Sequence, residues 1–246
     1  MSNTHTNKNS FNISGNLSLN NKKLLSDTNF TISINSWNTL IGQSGIGKST
    51  LLKAIANLDI PKNFSHSITT KTNKKYSYSW MSQDDLLLPW LSVIENIVLG
   101  QRLRREKVNF KKAKNLLEKV HLTNVMNNLP STLSGGMRQR VAIARTLFED
   151  KDIILMDEPF RSLDSITKSN IQKLAYSLLK NKTIFMVTHD PLEALILSDK
   201  LYIFSNKNIQ KIILPKSSPI RNINNKNLTF SYKNILDILQ KNYEEQ

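Results

Sequence analysis

The stretch Gly42-Gln43-Ser44-Gly45-Ile46-Gly47-Lys48-Ser49-Thr50 constrains this chain more than any other. It reads G-x-x-x-x-G-K-S. It stands between the apolar run Thr39-Leu40-Ile41 and a segment from Ser49 to Leu58 in which Leu51, Leu52, Ile55 and Ala56 recur at helical spacing. Strand, glycine loop and helix in that order make a cradle for phosphate. Glycines let successive backbone N–H groups turn toward phosphate oxygens with no Cβ in the way, and the helix N-terminus adds partial positive charge. On this reading Lys48 reaches the β- and γ-phosphates of a nucleotide, the Ser49 hydroxyl ligates Mg2+, and Thr50 reaches the α-phosphate. An ordinary glycine-rich turn is the weaker alternative, because it would not need this strand–loop–helix context.

Glycine usage points to a second stretch. The chain has 7 glycines, and Gly42, Gly45, Gly47, Gly135 and Gly136 lie in two short segments. A sequence that otherwise avoids glycine uses it where backbone approaches something closely. The segment Ser134-Gly135-Gly136 opens a predicted helix through Val141, Ala144 and Leu147, so its amides and dipole are suited to an anion.

The rest of the chain supplies a frame for both. Phe11-Asn12-Ile13, Leu17-Ser18-Leu19, Leu24-Leu25 and Phe30 to Ile34 alternate at period two and predict short strands of an antiparallel β lobe. Residues 61–76 are polar and basic and predict a surface hairpin. Tyr76 to Met81 predicts a strand ending at Ser82-Gln83. The character then changes: Leu86-Leu87-Leu88-Pro89-Trp90 leads to a helix from about Val93 to Leu103 and another over Lys111 to Val120. These predict a helical insertion between two core strands. Ile153 to Met156 then runs into Asp157-Glu158, a helix follows around Ile171 to Leu179, and Ile184 to Val187 runs into Thr188-His189. Leu192 to Leu197 reads as a short helix and Leu201 to Phe204 as a last core strand. Apolar runs without alternation mark strands buried on both faces. The glycine loop, Gln83, Asp157-Glu158 and His189 thus fall at the C-terminal ends of predicted strands, where open α/β sheets bind ligands.

Composition excludes several classes. The chain has 246 residues and no cysteine, so disulfide frameworks, thiol chemistry and cysteine zinc sites are out. No apolar run approaches the roughly 18 residues of a membrane span. The opening MSNTHTNKNS lacks the apolar core of a signal peptide and reads as a loose tail. The net charge of +15 is spread through a Lys- and Asn-rich sequence rather than gathered in one element. That spread fits compositional drift better than nucleic-acid binding, with attraction to an anionic lipid surface between the two. No nucleic-acid partner is expected.

Taken together, the motifs resemble those of the ATPase subunit of ABC transporters. GQSGIGKS stands as Walker A, Gln83 as the Q-loop, LSGGMRQR as the signature, IILMDEP as Walker B, Ser162-Leu163-Asp164 as the D-loop and His189 as the switch histidine, in the family's order. The resemblance implies an α/β fold: a P-loop NTPase (RecA-like) core with an antiparallel β lobe and an inserted α-helical subdomain at about residues 84–137. Residues 11–246 would form one ABC ATPase domain behind a flexible tail of residues 1–10. It implies ATP and Mg2+, with Gly42, Gln43, Ser44, Gly45, Ile46, Gly47, Lys48, Ser49 and Thr50 around the phosphates and Ser49, Gln83 and Asp157 at the metal. Glu158 resembles the general base, and His189 and Gln83 the groups that meet the γ-phosphate. Ser134, Gly135, Gly136 and Asp164 would serve the nucleotide of a second subunit, so a homodimer is expected.

The segments QDDLLLPWLSVIENIVLG and THDPLEAL look like those of importers for nitrate, sulfonate and taurine, and slightly more like those for thiamine pyrimidine precursors. This implies an integral membrane permease as direct partner, an extracytoplasmic solute-binding protein as indirect partner, and a peripheral location on the cytoplasmic face of the plasma membrane. Leu88-Pro89-Trp90 lies where such ATPases receive a permease helix, with core packing of Trp90 as the alternative. A soluble, non-transport ABC ATPase is the rival class. Some positions depart from the family pattern: Leu19 stands where an aromatic stacks on adenine, with Phe11 a distant candidate. Arg161 replaces a small residue, and Asn35-Ser36-Trp37-Asn38 replaces the usual Gly-Glu turn.

Overall fold

The structure is a computed structural model that describes residues 10–60, 62–71, 75–205 and 208–244. The tail reading for residues 1–9 lies outside these, and Ser10 already belongs to a strand. In chain order the elements are β1 (Ser10–Leu19), β2 (Lys22–Ser33), β3 (Trp37–Ile41), α1 (Lys48–Ile55), β4 (Phe64–His66), β5 (Thr69–Lys71), β6 (Tyr78–Met81), α2 (Val93–Leu103), α3 (Phe110–Lys119), α4 (Gly135–Phe148), β7 (Ile153–Asp157), α5 (Ser165–Leu179), β8 (Thr183–Thr188), α6 (Pro191–Leu197), β9 (Lys200–Ser205), β10 (Asn208–Ile212) and α7 (Lys226–Glu244). They fall into two compact units. One combines the chain up to Tyr76 with the chain from Asn181 onward, and the other is Ser77–Lys180.

In the first unit the short predicted strands merge into a long antiparallel pair, β1 with β2, in register from Ser10↔Ser33 to Leu19↔Lys22. The two-residue turn is Asn20-Asn21, with φ of 47° and 64°. Asparagine tolerates this left-handed region, and two such residues give the turn whose twist matches paired strands. Of the predicted hairpin over 61–76, residues 61 and 72–74 lie outside the described residues, and among the rest β4 and β5 do not pair with each other. Instead β4 and β5 each pair with β1, β4 at Leu17–Leu19 and β5 at Asn12–Ser14. The two are separated opposite the irregularity in β1 at Gly15, where a Cβ would stand 2.3 Å from the Ser67 carbonyl oxygen. Polar strands covering the second edge of β1 leave less unpaired backbone than a free hairpin would.

The second sheet of this unit runs β10-β9-β3-β8. Strand β3 is parallel to both β8 and β9, and every residue of β3 and β8 is buried. Strand β10 and helix α7, neither anticipated from the sequence, complete the unit. Leu228 and Ile235 of α7 are buried with Ala194 and Leu195 of α6 and with Ile41, Leu201 and Ile203 of the strands. Phe30 of β2 meets Phe185 and Tyr202, with ring centroids 5.8 and 5.5 Å away, and the Tyr202 hydroxyl donates to the Thr31 carbonyl. The antiparallel lobe is thereby packed on the parallel strands.

Asn38, wholly buried in β3, fixes the entry to that strand. Its Oδ1 accepts from Ser33 N–H at 2.9 Å, and its Nδ2 donates to the carbonyls of Ser33, Ser36 and Ile184 at 2.9, 3.1 and 3.1 Å. Asn35 takes the left-handed position of the turn with φ 52°, which explains how the chain manages without glycine there.

In the second unit β6 and β7 are parallel, from Tyr78↔Ile153 to Met81↔Met156. Helices α2, α3 and α4 enclose a core that includes Ile97, Val98, Leu117, Val141 and Ala144. Ser92 and Glu95 form a reciprocal capping box at the start of α2, and these bonds hold the Glu95 carboxyl below its usual range.

Replacing Asn38 by Leu keeps the size but leaves one N–H and several carbonyls buried without their partner. The expected cost is about 2–4 kcal/mol, read as a lowered denaturant midpoint. A midpoint equal to wild type would mean the turn is held by other groups.

Candidate functional site

The glycine loop leaves β3 at its C-terminal end. Gly42 N–H points to the Thr188 carbonyl of neighbouring β8 at 3.4 Å, so the loop and His189 leave adjacent parallel strands side by side. Gly45 and Gly47 have φ of 80° and 104°, the left-handed region that L side chains rarely adopt. Lys48 opens α1 and is buried, its ammonium donating to the carbonyls of Gly42 and Gln43 at 2.9 and 2.8 Å. The Ser49 side chain is exposed and Thr50 is buried. His189 is exposed just beyond β8.

Two features of the loop suit a phosphate chain. A Cβ at Gly45 would meet nothing within 4 Å, so there is open space along the cradle. The side-chain amide nitrogen of Gln43, Nε2, is buried with no hydrogen-bond partner, a donor that a phosphate oxygen could satisfy.

The second unit brings together another group. Because β6 and β7 are adjacent and parallel, Gln83 just past β6 and Asp157-Glu158 at the end of β7 lie at neighbouring strand ends. Glu158 is buried, and its φ of 47° puts a bulky residue in a backbone region that costs free energy. Its carbonyl accepts from Arg161 N–H at 3.2 Å, closing a tight turn. The Arg161 side chain folds back so that Nη1 stands 3.3 Å from Glu158 Oε2 and 3.4 Å from Gln83 Oε1. This contact was missed from the sequence. The only signal was a long cation where a small residue is usual.

Ser134 caps α4 by accepting from Met137 N–H at 3.2 Å, and Asp164 caps α5 by accepting from Thr167 N–H at 3.1 Å. The bonds to Thr167 hold the Asp164 carboxyl below its ordinary value. The two signature glycines differ in kind. Gly135 has open space around its would-be Cβ, whereas at Gly136 a Cβ would stand 2.6 Å from Thr167 Cγ2. A side chain at Gly136 would force Thr167 to shift, so this glycine has a packing role between α4 and α5 that the sequence reading did not separate from anion binding.

The loop after Gln83 is held from two sides. Asn96, fully buried in α2, accepts from Leu88 N–H at 2.8 Å and donates to the carbonyls of Leu88, Leu91 and Ser92 at 3.0–3.2 Å. From α4, Arg138 Nε bonds Asp85 Oδ2 at 2.9 Å, and Arg145 donates to the carbonyls of Leu86 and Asp85 at 2.8 and 2.5 Å. Fixed in this way, the loop presents Leu86 and Trp90 outward, 61% and 70% exposed. Trp90 is not a core residue.

Motif order, parallel strand ends and a glycine cradle narrow the family before any comparison is made. The profile described as ABC transporter matches residues 25–161, more than half of the chain. The chain belongs to the ABC transporter family. It is an ATP-binding protein and an ATPase, with the mixed α/β fold of P-loop NTPases. It is 38% identical over 219 residues to an uncharacterized ABC transporter ATP-binding protein of Haemophilus influenzae, covering 86% of this chain and 90% of the relative. It is 39% identical over 199 residues to an aliphatic sulfonates import ATP-binding protein of Rhodococcus jostii, covering 80% and 79%. A solved ABC transporter of the metal-chelate type, in an inward-facing conformation, superposes with a TM-score of 0.69 at 22% identity, covering 92% of this chain and 90% of that one. This last likeness concerns the fold.

Arg161 is expected to act as a positioning residue for the groups it bridges. A half-exposed ion pair of this kind is worth about 1 kcal/mol, so Arg161→Ala should lower kcat for ATP hydrolysis by about fivefold with little change in KM. Arg161→Lys should recover part of the loss. Equal falls in the Lys and Ala variants, or a change confined to KM, would remove the positioning role.

Proposed function

We propose that this ATPase powers the import of a small solute through a membrane permease. The supporting observation is the rigid loop after Gln83. It sets two exposed apolar side chains beside a residue of the candidate γ-phosphate site and is bonded directly to the signature helix. An outward-facing Trp and Leu on a fixed loop make an anchor for a partner element rather than a solvated surface. Relatives named for aliphatic sulfonate import are 36–40% identical to this chain, which favours a sulfonate or taurine among the candidate cargoes. Thiamine pyrimidine precursors and nitrate-like anions remain in the same proposed group. Among the described residues no helix is long and apolar enough to cross a membrane. On the likeness to import ATP-binding proteins, we assign the bilayer crossing to the permease and propose a peripheral position on the cytoplasmic face for this subunit.

The residues then divide the work. ATP is the substrate, and Mg2+, when bound, would supply positive charge to offset that of the phosphates. The amides of residues 42–50 and the Lys48 ammonium would hold the phosphates, and Ser49, Asp157 and Gln83 are the residues that would hold the metal. Glu158 takes the proton of the attacking water as general base, and His189 contacts the γ-phosphate. Ser134, Gly135, Gly136 and Asp164 complete the site of a second copy of the chain, giving a homodimer whose closure and opening are passed to the permease. An extracytoplasmic solute-binding protein delivers the cargo and does not touch this subunit. Residues 11–246 act as one ABC ATPase domain.

The test uses Glu158→Gln. The variant should bind ATP and dimerise with Mg2+ while hydrolysis falls by about a hundredfold or more. Purified with ATP and Mg2+ from gently solubilised cells, it should bring a polytopic membrane protein with it. Adding Trp90→Ala should abolish that association without affecting ATP binding. Recovery of ribosomes, DNA or soluble partners would replace transport with the soluble ATPase reading, and a monomer at saturating ATP would end the two-subunit account.

A further inference from the structure

Far along the chain from the nucleotide motifs, the first unit contains a second polar cavity of about 400 Å³. It is formed where β9 begins, β10 ends and the loop Ile213–Arg221 follows, and its size is that of a small-molecule site. Four of its lining residues are cationic, Lys200, Lys211, Lys216 and Arg221, against one carboxylate, Asp199. That carboxylate is engaged elsewhere: Asp199 Oδ2 accepts the Trp37 N–H at 2.9 Å. Among the described residues none of the three lysines forms an ion pair.

The arrangement is fixed by backbone geometry. Lys211 pairs with Tyr202 across the β9–β10 ladder, and Lys200 lies two residues before Tyr202, so Lys200 and Lys211 share one face of the strand pair. Like charges placed this way repel unless something negative lies between or beside them. Arg221, among the lining residues, is held by hydrogen bonds. It is only 5% exposed, and its Nη1 donates to the carbonyls of Leu195 and Ser198, at 2.8 and 2.7 Å, at the end of α6. The hydroxyl-bearing Ser217 and Ser218 complete the rim.

We propose that this cavity is a binding site for a phosphate-type oxyanion, carried by a small phosphomonoester or by a phospholipid headgroup. Positive charge in a concave site attracts an anion more strongly than the same lysines would on an open face. Serine hydroxyls add donors of the right kind for phosphate oxygens. The site is separate from the glycine loop and stands whether or not the chain serves an importer.

Glycerol 3-phosphate and phosphatidic acid are suitable probes. Because the glycine loop also accepts phosphate, both proteins compared are saturated with ADP and Mg2+, and the readout is the difference between wild type and a rim variant. The rim variant is Lys211→Glu with Lys216→Glu, two exposed positions that leave Arg221 in place; Lys211→Arg with Lys216→Arg is the charge-preserving control. In calorimetric titration with glycerol 3-phosphate, wild type and the Arg control should bind, and the Glu variant should bind at least about tenfold more weakly. A lipid source would appear instead as cosedimentation with phosphatidylcholine vesicles containing phosphatidic acid, lost in the Glu variant and kept in the Arg control. Binding of neither probe, or binding of either that survives in the Glu variant, would overturn the proposal. The second result would assign the attraction to the general +15 charge of the chain.

Discussion

The structure of the first unit depends on one strand being immovable. Strand β3 is buried along its whole length, hydrogen-bonded on both sides, and anchored at its entry by a buried asparagine that bonds the preceding turn and the neighbouring strand. A phosphate loop is a cradle only if its amides hold still, since donors that must reorganise to meet an anion lose part of what they gain. The strain-tolerant glycines at 45 and 47 make the curl possible. The rigidity comes from the strand behind them.

The second unit solves a related problem with charge. Residues that follow β6 would form a floppy segment if left to solvent, because polar backbone without partners has no preferred shape. Arg138 and Arg145 from the signature helix and Asn96 from α2 supply those partners. Burial pulls the Arg145 guanidinium below its usual range, partly offset by Asp85 and Glu149. An arginine placed there is therefore committed to its carbonyls, which is the kind of contact that specifies a loop conformation. The same helix that begins with Ser134 thus shapes the loop that ends with Trp90.

Much of this was legible in the sequence, for identifiable reasons. Core strands announced themselves as unbroken apolar runs, and α2 by its apolar residues from Val93 to Leu103, whereas its capping box of Ser92 and Glu95 emerged only in the structure. The placing of Gln83, Glu158 and His189 just past strand ends followed from those runs. Other features were not local. The continuity of β1 and β2 rests on a turn of two asparagines and on polar residues that blur the period-two signal. The pairing of β4 and β5 with β1 depends on a vacant sheet edge, which no window of sequence displays. The reach of Arg161 to Glu158 and Gln83 joins residues from two separate strand ends, and the buried role of Asn96 appears only once the chain has folded over it. Strand β10 and helix α7 carry mixed Lys-, Asn- and Ile-rich sequence in which burial of a few residues, such as Leu228 and Ile235, decides the outcome.

The near-contact at Gly136 has a mechanical meaning. Helices α4 and α5 meet in their first turns, where the missing side chain lets Thr167 and Ile171 press against the backbone. Ser134 caps one helix and Asp164 the other, so the two caps sit at the ends of parts that are locked at their nearest point. Close packing of this kind hinders the two helices from shifting independently. A displacement imposed on either cap therefore meets the other helix at that contact, and a bulkier side chain at position 136 would disturb both ends together.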